Sequence, residues 1–179
     1  MRGGEITGNS APGAFNNNTA GGVFLSAATS RFYMQGGSVR GNTRGTDNVP
    51  ADVNLAAAAN YFTLSGNATI GRLLQSGGGS GVNAHVAPVT IGSGWTGRVY
   101  YLDLWRGHNS ISDVINNMVN HTVMQAEASH TLTAGYLERM GYTLACFIGT
   151  ETSVPQPVSQ AHRIVLENGN TIGVLMPNP

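Results

Sequence analysis

Acidic residues are the candidates for catalysis, because an enzyme that cleaves polysaccharides needs paired carboxylates or a carboxylate beside an arginine. Asp47 and Asp52 lie five residues apart, with Arg44 close by in the chain. They form the only local cluster of acids and bases in the first 105 residues. The same pattern is typical of a solvated turn, and we expect a turn here rather than a catalytic or calcium site. The sequence therefore predicts no catalytic residue and no enzyme.

Histidine and cysteine offer little further chemistry. His121 and His130 lie nine residues apart around Glu127, which is not a recognised zinc spacing. The single Cys146 stands in an apolar run and indicates a buried free thiol rather than a nucleophile. The glycine-rich stretch 76–81 lacks the Lys-Ser/Thr of a phosphate-binding loop. The sequence thus predicts neither a metal nor a cofactor.

Aromatic side chains are concentrated in the stretch GWTGRVYYLDLW, residues 94–105. Strict strand alternation predicts that Tyr100 and Tyr101 face opposite ways. One face then forms an exposed aromatic ledge for a sugar or a protein, or else the rings fill a junction between two parts of the chain. We favour the second interpretation and keep the first as the alternative. The candidate partner-binding residues are Trp95, Tyr100, Tyr101 and Trp105, together with Asp47 and Asp52.

The composition limits the partners that this chain can take. Only 10% of the 179 residues are charged, the net charge is zero, and all nine basic residues are arginine. A nucleic-acid binder usually needs a basic stripe, which this balance does not provide. Gly contributes 25 residues and Asn 17, and both tolerate the left-handed backbone of tight turns. The composition therefore favours a turn-rich β structure.

A short phrase occurs twice, and the residues around it repeat. MRGGEITGN at 1–9 and MQGGSVRGN at 34–42 share Met-x-Gly-Gly-x-Ile/Val-x-Gly-Asn. Residues 22–36 also align with 52–66 at an offset of 30, which places Phe32 over Phe62. A fainter copy places Val89 over Phe62 at an offset of 27. Recurrence at about 27–33 residues is typical of stacked structural units.

Within each copy the apolar residues alternate with period two, which predicts short strands separated by turns. Such strands without intervening helices favour a right-handed parallel β-helix solenoid, mainly all-β, over residues 1–105. In that arrangement Asn9 and Asn42 would form a side-chain ladder at a corner. Their amides would bond backbone groups that the turn leaves open.

The pattern changes after residue 105. Residues 110–120 and 133–141 show helical periodicity, the second with Thr133 as cap and Gly141 as stop. The β-prone runs around Asn168-Gly169 predict a hairpin. We therefore expect residues 106–179 to form a C-terminal capping module with one or two short helices and a hairpin. A small ligand- or partner-binding module is the alternative.

The repeated phrase resembles the right-handed β-helix repeats of bacterial surface proteins, the polymorphic-outer-membrane-protein-like and adhesin-like repeat proteins. The resemblance covers roughly residues 1–105. It implies an extracellular or cell-surface, non-enzymatic, structural or adhesive repeat protein. Residues 1–9 lack an apolar leader segment and read like the middle of a repeat, which predicts a fragment of a longer protein.

Three functions follow as expectations. The first is a structural or adhesive protein that meets a protein or glycan partner through its variable loops, with no nucleic acid and no membrane span in this chain. The second is a carbohydrate-active β-helix enzyme of the polysaccharide lyase or hydrolase type. The third is a self-assembling fibre subunit, in which the open first repeat unit pairs with a neighbouring copy.

Overall fold

A computed structural model describes residues 1–12, 20–27, 29–46, 48–56, 61–76, 87–105, 116, 118–141, 144–146, 156–157 and 162–179. Within these ranges the strands form three sheets. The first has eight strands: β1 (Glu5–Ile6), β3 (Val23–Leu25), β5 (Ser38–Val39), β8 (Val53–Leu55), β10 (Thr69–Ser76), β12 (Arg98–Trp105), β14 (Leu144–Cys146) and β15 (Gln156–Pro157).

The second sheet has six strands: β4 (Arg31–Met34), β9 (Tyr61–Leu64), β11 (Val89–Ile91), β13 (Thr122–Ala126), β16 (His162–Glu167) and β17 (Ile172–Pro177). The third is β2 (Ser10–Ala11), β6 (Thr43–Arg44) and β7 (Val49–Pro50). The one helix whose residues are all described is α1 (Ala134–Arg139), which begins after Thr133 as predicted. No described helix is long and apolar enough to cross a membrane.

The predicted pairing of repeat copies is confirmed at individual residues. Strands β4 and β9 are parallel with Phe32 beside Phe62, and the two rings stack at 5.8 Å and 3°. Val89 lies beside Phe62 on the next strand, at the predicted offset. The amide Nδ2 of Asn9 donates to Oδ1 of Asn42 at 2.9 Å, which is the predicted ladder.

The glycine pair of the repeated phrase is required by backbone geometry. Gly37 has a φ of +83°, and a Cβ there would lie 2.3 Å from the carbonyl oxygen of Gly4. A side chain would therefore push apart two copies of the phrase that touch through their backbones. The phrase serves the packing of neighbouring strands and presents no open loop to a ligand.

The prediction of a single right-handed parallel β-helix is wrong. The described strands lie in three sheets of mixed order, none of them closed, and each sheet contains antiparallel as well as parallel pairs. The physical reason is that successive pairings are too uneven for regular coils. Val53 pairs with Leu73 only 20 residues later, whereas Leu102 pairs with Leu144 after 42. The described strands therefore do not form a solenoid.

Antiparallel strands complete the second sheet. The predicted hairpin at Asn168-Gly169 is present as β16 and β17, and β17 also pairs antiparallel with β13. Strands from before and after residue 105 therefore share sheets, while the division of the chain into 1–105 and 106–179 stays a prediction. The predicted helix at 110–120 lies mostly outside the described residues, and so does the side chain of Cys146.

The core lies between the first and second sheets. Its residues include Val53, Leu73 and Leu102, which are partners across three neighbouring strands of the first sheet. Gln75 is also buried, and its Nε2 donates to the carbonyl oxygens of Ala87 and Val123 at 3.1 and 2.8 Å. This apolar interior fixes which residues of β10 and β12 are left to face outward.

Candidate functional site

The two adjacent tyrosines of β12 both face solvent. Tyr100 is 39% exposed and Tyr101 43%, whereas Val99 and Leu102 on either side are buried. Strict alternation, which predicted opposite faces for the two tyrosines, is therefore wrong here. Two residues instead of one separate the inward-facing side chains, so the alternation shifts by one residue at this point. We call Tyr100 and Tyr101 the tyrosine ledge.

The neighbouring strand β10 shows the same shift in its alternation. Ile70 and Leu73 are buried, and Gly71 and Arg72 lie between them. Arg72 is the partner of Tyr101 across the two strands, and Ile70 is the partner of Val99. Gly71 therefore lies beside Tyr100, and the outward-facing residues of the two strands are neighbours.

Arginine side chains cover the tyrosine ledge. The guanidinium carbon of Arg40 lies 4.7 Å from the ring centroid of Tyr100, and that of Arg98 lies 5.5 Å from the same ring. The guanidinium carbon of Arg72 lies 4.7 Å from the ring centroid of Tyr101. At these distances the ring quadrupole attracts each cation. Stacking uses the face of a guanidinium and leaves its N–H edges for other acceptors.

Gly71 leaves the space through which Arg40 reaches its ring. Arg40 follows Val39, which pairs with Ile70, so Gly71 lies between Arg40 and Tyr100 in the sheet. A Cβ at Gly71 would come within 3.4 Å of Arg40 Cγ and within 2.3 Å of Asp52 Oδ2. Only a residue without a side chain fits here, and its backbone forms the floor of a cleft.

Two clefts flank Tyr100. The first, which we call the Gly71 cleft, has a volume of about 420 Å³, and its lining includes Arg40, Gly71, Arg72 and both tyrosines of the ledge. The second, the Arg98 cleft, has a volume of about 460 Å³, and its lining includes Thr96, Arg98, Tyr100, Glu138 and Arg139. Arg139 is held in place because its Nη1 donates to the carbonyl oxygen of Thr96 at 2.7 Å. Tyr100 thus stands as a wall between the two clefts.

Asp52 lines the Gly71 cleft with a carboxylate whose oxygens are occupied. Its Oδ1 accepts the backbone N–H and the Nδ2 of Asn42 at 2.8 and 2.9 Å, and its Oδ2 accepts the backbone N–H of Arg72 at 2.7 Å. The residue is only 3% exposed. A carboxylate that accepts three N–H groups at this depth is suited to holding strands together. It is poorly placed to take a proton from a substrate.

A second buried carboxylate, Asp103, lies behind the tyrosine ledge. Its Oδ2 is 3.4 Å from Nη1 of Arg72, and its Oδ1 has no hydrogen-bond partner among the described residues. Burial raises the pKa of Asp103 to about 7, although Arg72 and Arg44 oppose the shift. Burial also lowers the pKa of Arg44 to about 10, against the effect of Asp103.

The predicted partner-binding residues lie in different environments. Trp95 is 2% exposed, its Nε1 donates to the carbonyl oxygen of Ala68 at 2.8 Å, and its ring stacks on Tyr136. It therefore fills the core and is not available to a partner. Asp47 and the side chain of Trp105 lie outside the described residues. Of the six predicted residues, Tyr100, Tyr101 and Asp52 come together at the Gly71 cleft.

Sequence reasoning missed the arginines of this site. Arg40, Arg72 and Arg98 lie on or beside three strands that follow one another in the first sheet, but they are about 30 residues apart in the chain. The repeat offset was the signal that could have found them. Val39 and Ile70 are partners, and so are Ile70 and Val99, so the residues next to them belong to one patch.

The described residues contain no group of three or more His, Cys, Asp or Glu side chains that could hold a metal ion. The arrangement at the tyrosine ledge instead combines aromatic faces, cations and two open clefts. The chain matches no protein-family model, and no curated protein or solved structure shows detectable similarity to it.

Proposed function

We propose that this protein is a non-enzymatic binding protein and that its partner docks on the tyrosine ledge. The observation that carries the proposal is the pair of adjacent exposed tyrosines, each stacked under an arginine at 4.7 Å and bordered by open clefts. Tyrosine and arginine are the residue types that contribute most to recognition surfaces. Their side chains are also held by stacking, so less conformational entropy is lost on binding.

The arrangement of Asp52 supports binding over catalysis. Of the two acids in the predicted cluster, Asp47 lies outside the described residues, and Asp52 directs both oxygens at N–H groups of the protein itself. Arg44, the basic member of the cluster, is fully buried near Asp103. The two described members, Asp52 and Arg44, thus offer a substrate neither a free carboxylate nor an exposed cation. Extracellular location stays a prediction, since no comparison bears on it.

A binding screen with a matched control tests the proposal. The protein is probed against neutral, acidic and basic glycans and against extracellular-matrix proteins, with Tyr100→Ala/Tyr101→Ala as the test variant. Tyr61→Ala is the control, because Tyr61 is 47% exposed and lies under Arg31 at 4.7 Å on the second sheet.

The expected result is saturable binding to one class of probe, lost in the double variant and kept in the control. A protein that binds no probe overturns the proposal. Equal losses in Tyr61→Ala and in the double variant also overturn it, since they place the contact elsewhere. Circular dichroism of each variant ensures that lost binding is compared between folded proteins.

A further inference from the structure

We propose that the tyrosine ledge and the Gly71 cleft bind an acidic polysaccharide, a sugar chain that carries carboxylate or sulfate groups. This inference rests on the proposed binding function and names the class of its ligand. The evidence lies in the charge, the lining and the spacing of the site.

Positive charge dominates the surface that a ligand meets. Arg40, Arg72 and Arg98 surround the two tyrosines, and no described carboxylate is paired with Arg40 or Arg98. The carboxylate that lines the Gly71 cleft, Asp52, is 3% exposed and directs its oxygens away into three N–H groups. Guanidinium edges match carboxylate and sulfate oxygens, which accept two parallel N–H bonds. The site is therefore suited to anionic groups.

The lining of the cleft favours a sugar over a peptide. Apart from Pro50, the described residues that line the Gly71 cleft include no aliphatic side chain, and Gly41 and Gly71 contribute only backbone. Peptide ligands gain most of their affinity from apolar anchors in deep pockets, which this surface does not provide. A shallow cleft of backbone, phenol and guanidinium groups offers hydrogen bonds to hydroxyls and carboxylates instead.

The spacing of the arginines fits a repeating ligand. Arg40, Arg72 and Arg98 come from or directly follow β5, β10 and β12, which are neighbours in the first sheet. Neighbouring strands lie about 4.8 Å apart, so the three attachment points span roughly 10 Å across the sheet. A polymer with a charge on each sugar, or on every second one, can contact several of these cations at once.

Three soluble polymers test the proposal by isothermal titration calorimetry on the full chain. Polygalacturonate carries carboxylates, dextran sulfate carries sulfates, and dextran carries neither. Arg40→Gln and Arg98→Gln each remove one cation of the site. Arg31→Gln is the matched control, since Arg31 stacks on Tyr61 at the same 4.7 Å but on another sheet.

The expected result is binding to polygalacturonate, to dextran sulfate or to both, with much weaker binding to dextran. The two acidic polymers separate carboxylate from sulfate as the recognised group. Each site variant lowers the affinity about tenfold, as for the loss of a hydrogen bond between charged groups, while Arg31→Gln leaves it unchanged. Added salt weakens binding, because ions screen exposed charges.

Three results overturn this inference. The first is dextran binding as tightly as the acidic polymers, which leaves the proposed binding function intact if Tyr100→Ala/Tyr101→Ala abolishes it. The second is equal binding of single-stranded oligodeoxythymidine, which reduces the site to a general polyanion surface. The third is the absence of binding to any polymer, and the proposed function fails as well if the wider screen is also negative.

Discussion

Two buried carboxylates lie on either side of Arg72, and their surroundings differ. Asp52 accepts the backbone N–H of Arg72 and two N–H groups of Asn42. Asp103 has one contact with the Arg72 guanidinium, at 3.4 Å, and one oxygen without a hydrogen-bond partner among the described residues. Both residues are 3% exposed or less. At equal burial, Asp52 therefore connects neighbouring strands through hydrogen bonds, whereas Asp103 is a carboxylate with few hydrogen-bond donors.

The number of donors, and not the depth of burial, therefore decides what a buried carboxylate does. Donors aimed at a carboxylate replace the water that it loses, whereas a carboxylate with few donors keeps most of its desolvation penalty. Asp103 shows the consequence in a pKa raised to about 7. If this comparison holds, changes at Asp52 should act mainly on stability, and changes at Asp103 should act on the pH dependence of stability.

The largest effect is expected for Asp52→Ala. The backbone N–H groups of Asn42 and Arg72 lose their acceptor, whereas Nδ2 of Asn42 keeps the carbonyl oxygens of Ile6 and Arg40. Each unsatisfied donor costs about 1–3 kcal/mol, so the free energy of unfolding should fall by at least about 2 kcal/mol. Urea unfolding monitored by tryptophan fluorescence measures the loss. Asp52→Asn keeps the size and one oxygen, and its loss should be intermediate. The same small loss in both variants would show that the hydrogen bonds of Asp52 do not stabilise the contact between the strands.

Gly71→Ala tests the same hydrogen bonds of Asp52 by crowding its carboxylate. The added Cβ would lie 2.3 Å from Asp52 Oδ2, so the carboxylate must shift away from its donors. We expect the free energy of unfolding to fall by about 1–3 kcal/mol, the usual range for overpacking. Gly135→Ala is the matched control, because its Cβ meets only Thr133 Oγ1 at 3.6 Å and it lies in α1.

The control should gain stability, by up to about 1 kcal/mol, since alanine is the better helix former. A Gly71→Ala protein as stable as the parent would mean that the Asp52 carboxylate moves freely. In that case its three hydrogen bonds would contribute little, and the contrast with Asp103 would disappear.

Asp103→Asn is expected to change the pH dependence of stability. A carboxyl pKa raised from 3.8 to about 7 means that the folded protein binds this proton more tightly than the unfolded chain does. Stability from this group is therefore complete below about pH 4 and is lost as the pH rises toward 7. Inside that window each pH unit costs at most about 1.4 kcal/mol.

Urea unfolding of the parent and of Asp103→Asn across this pH window gives the measurement. The difference in unfolding free energy between the two proteins should change steadily in favour of the variant as the pH rises. A constant difference would show that Asp103 titrates alike in the folded and unfolded states.

Much of the local pairing could be predicted from the sequence, because it depends on side chains that repeat in register. Phe32 over Phe62 and Asn9 beside Asn42 follow from the offsets alone. The overall arrangement could not be predicted, since it depends on where each strand joins its neighbours. Nothing in the repeat shows that Val53 pairs with Leu73 after 20 residues, or that β17 approaches β13 from the opposite direction.

The candidate site divides in the same way. The tyrosines were found because they are adjacent in the chain and aromatic. Their common exposure was missed because strict alternation allows one outward-facing residue between two buried ones, whereas β12 has two between Val99 and Leu102. The arginines and Gly71 were missed because their significance arises only across strands, where the absence of one side chain lets Arg40 reach Tyr100.

The smallest effect on stability should come from the arginine–tyrosine stacks. It tests whether Asp103 strengthens the contact between Arg72 and Tyr101. Double-mutant cycles with Arg72→Met and Tyr101→Leu, and with Arg31→Met and Tyr61→Leu, compare two stacks of equal length, because leucine removes the aromatic ring. Because an exposed cation–π pair contributes about 0.5–1 kcal/mol, we expect a coupling energy in that range or below it for Arg31. The side chain of Arg72 is only 18% exposed and is also drawn toward Asp103, so water and salt screen its stack less. Its coupling should be the larger of the two and should persist in high salt, whereas equal couplings would mean that Asp103 does nothing to hold Arg72 against the ledge.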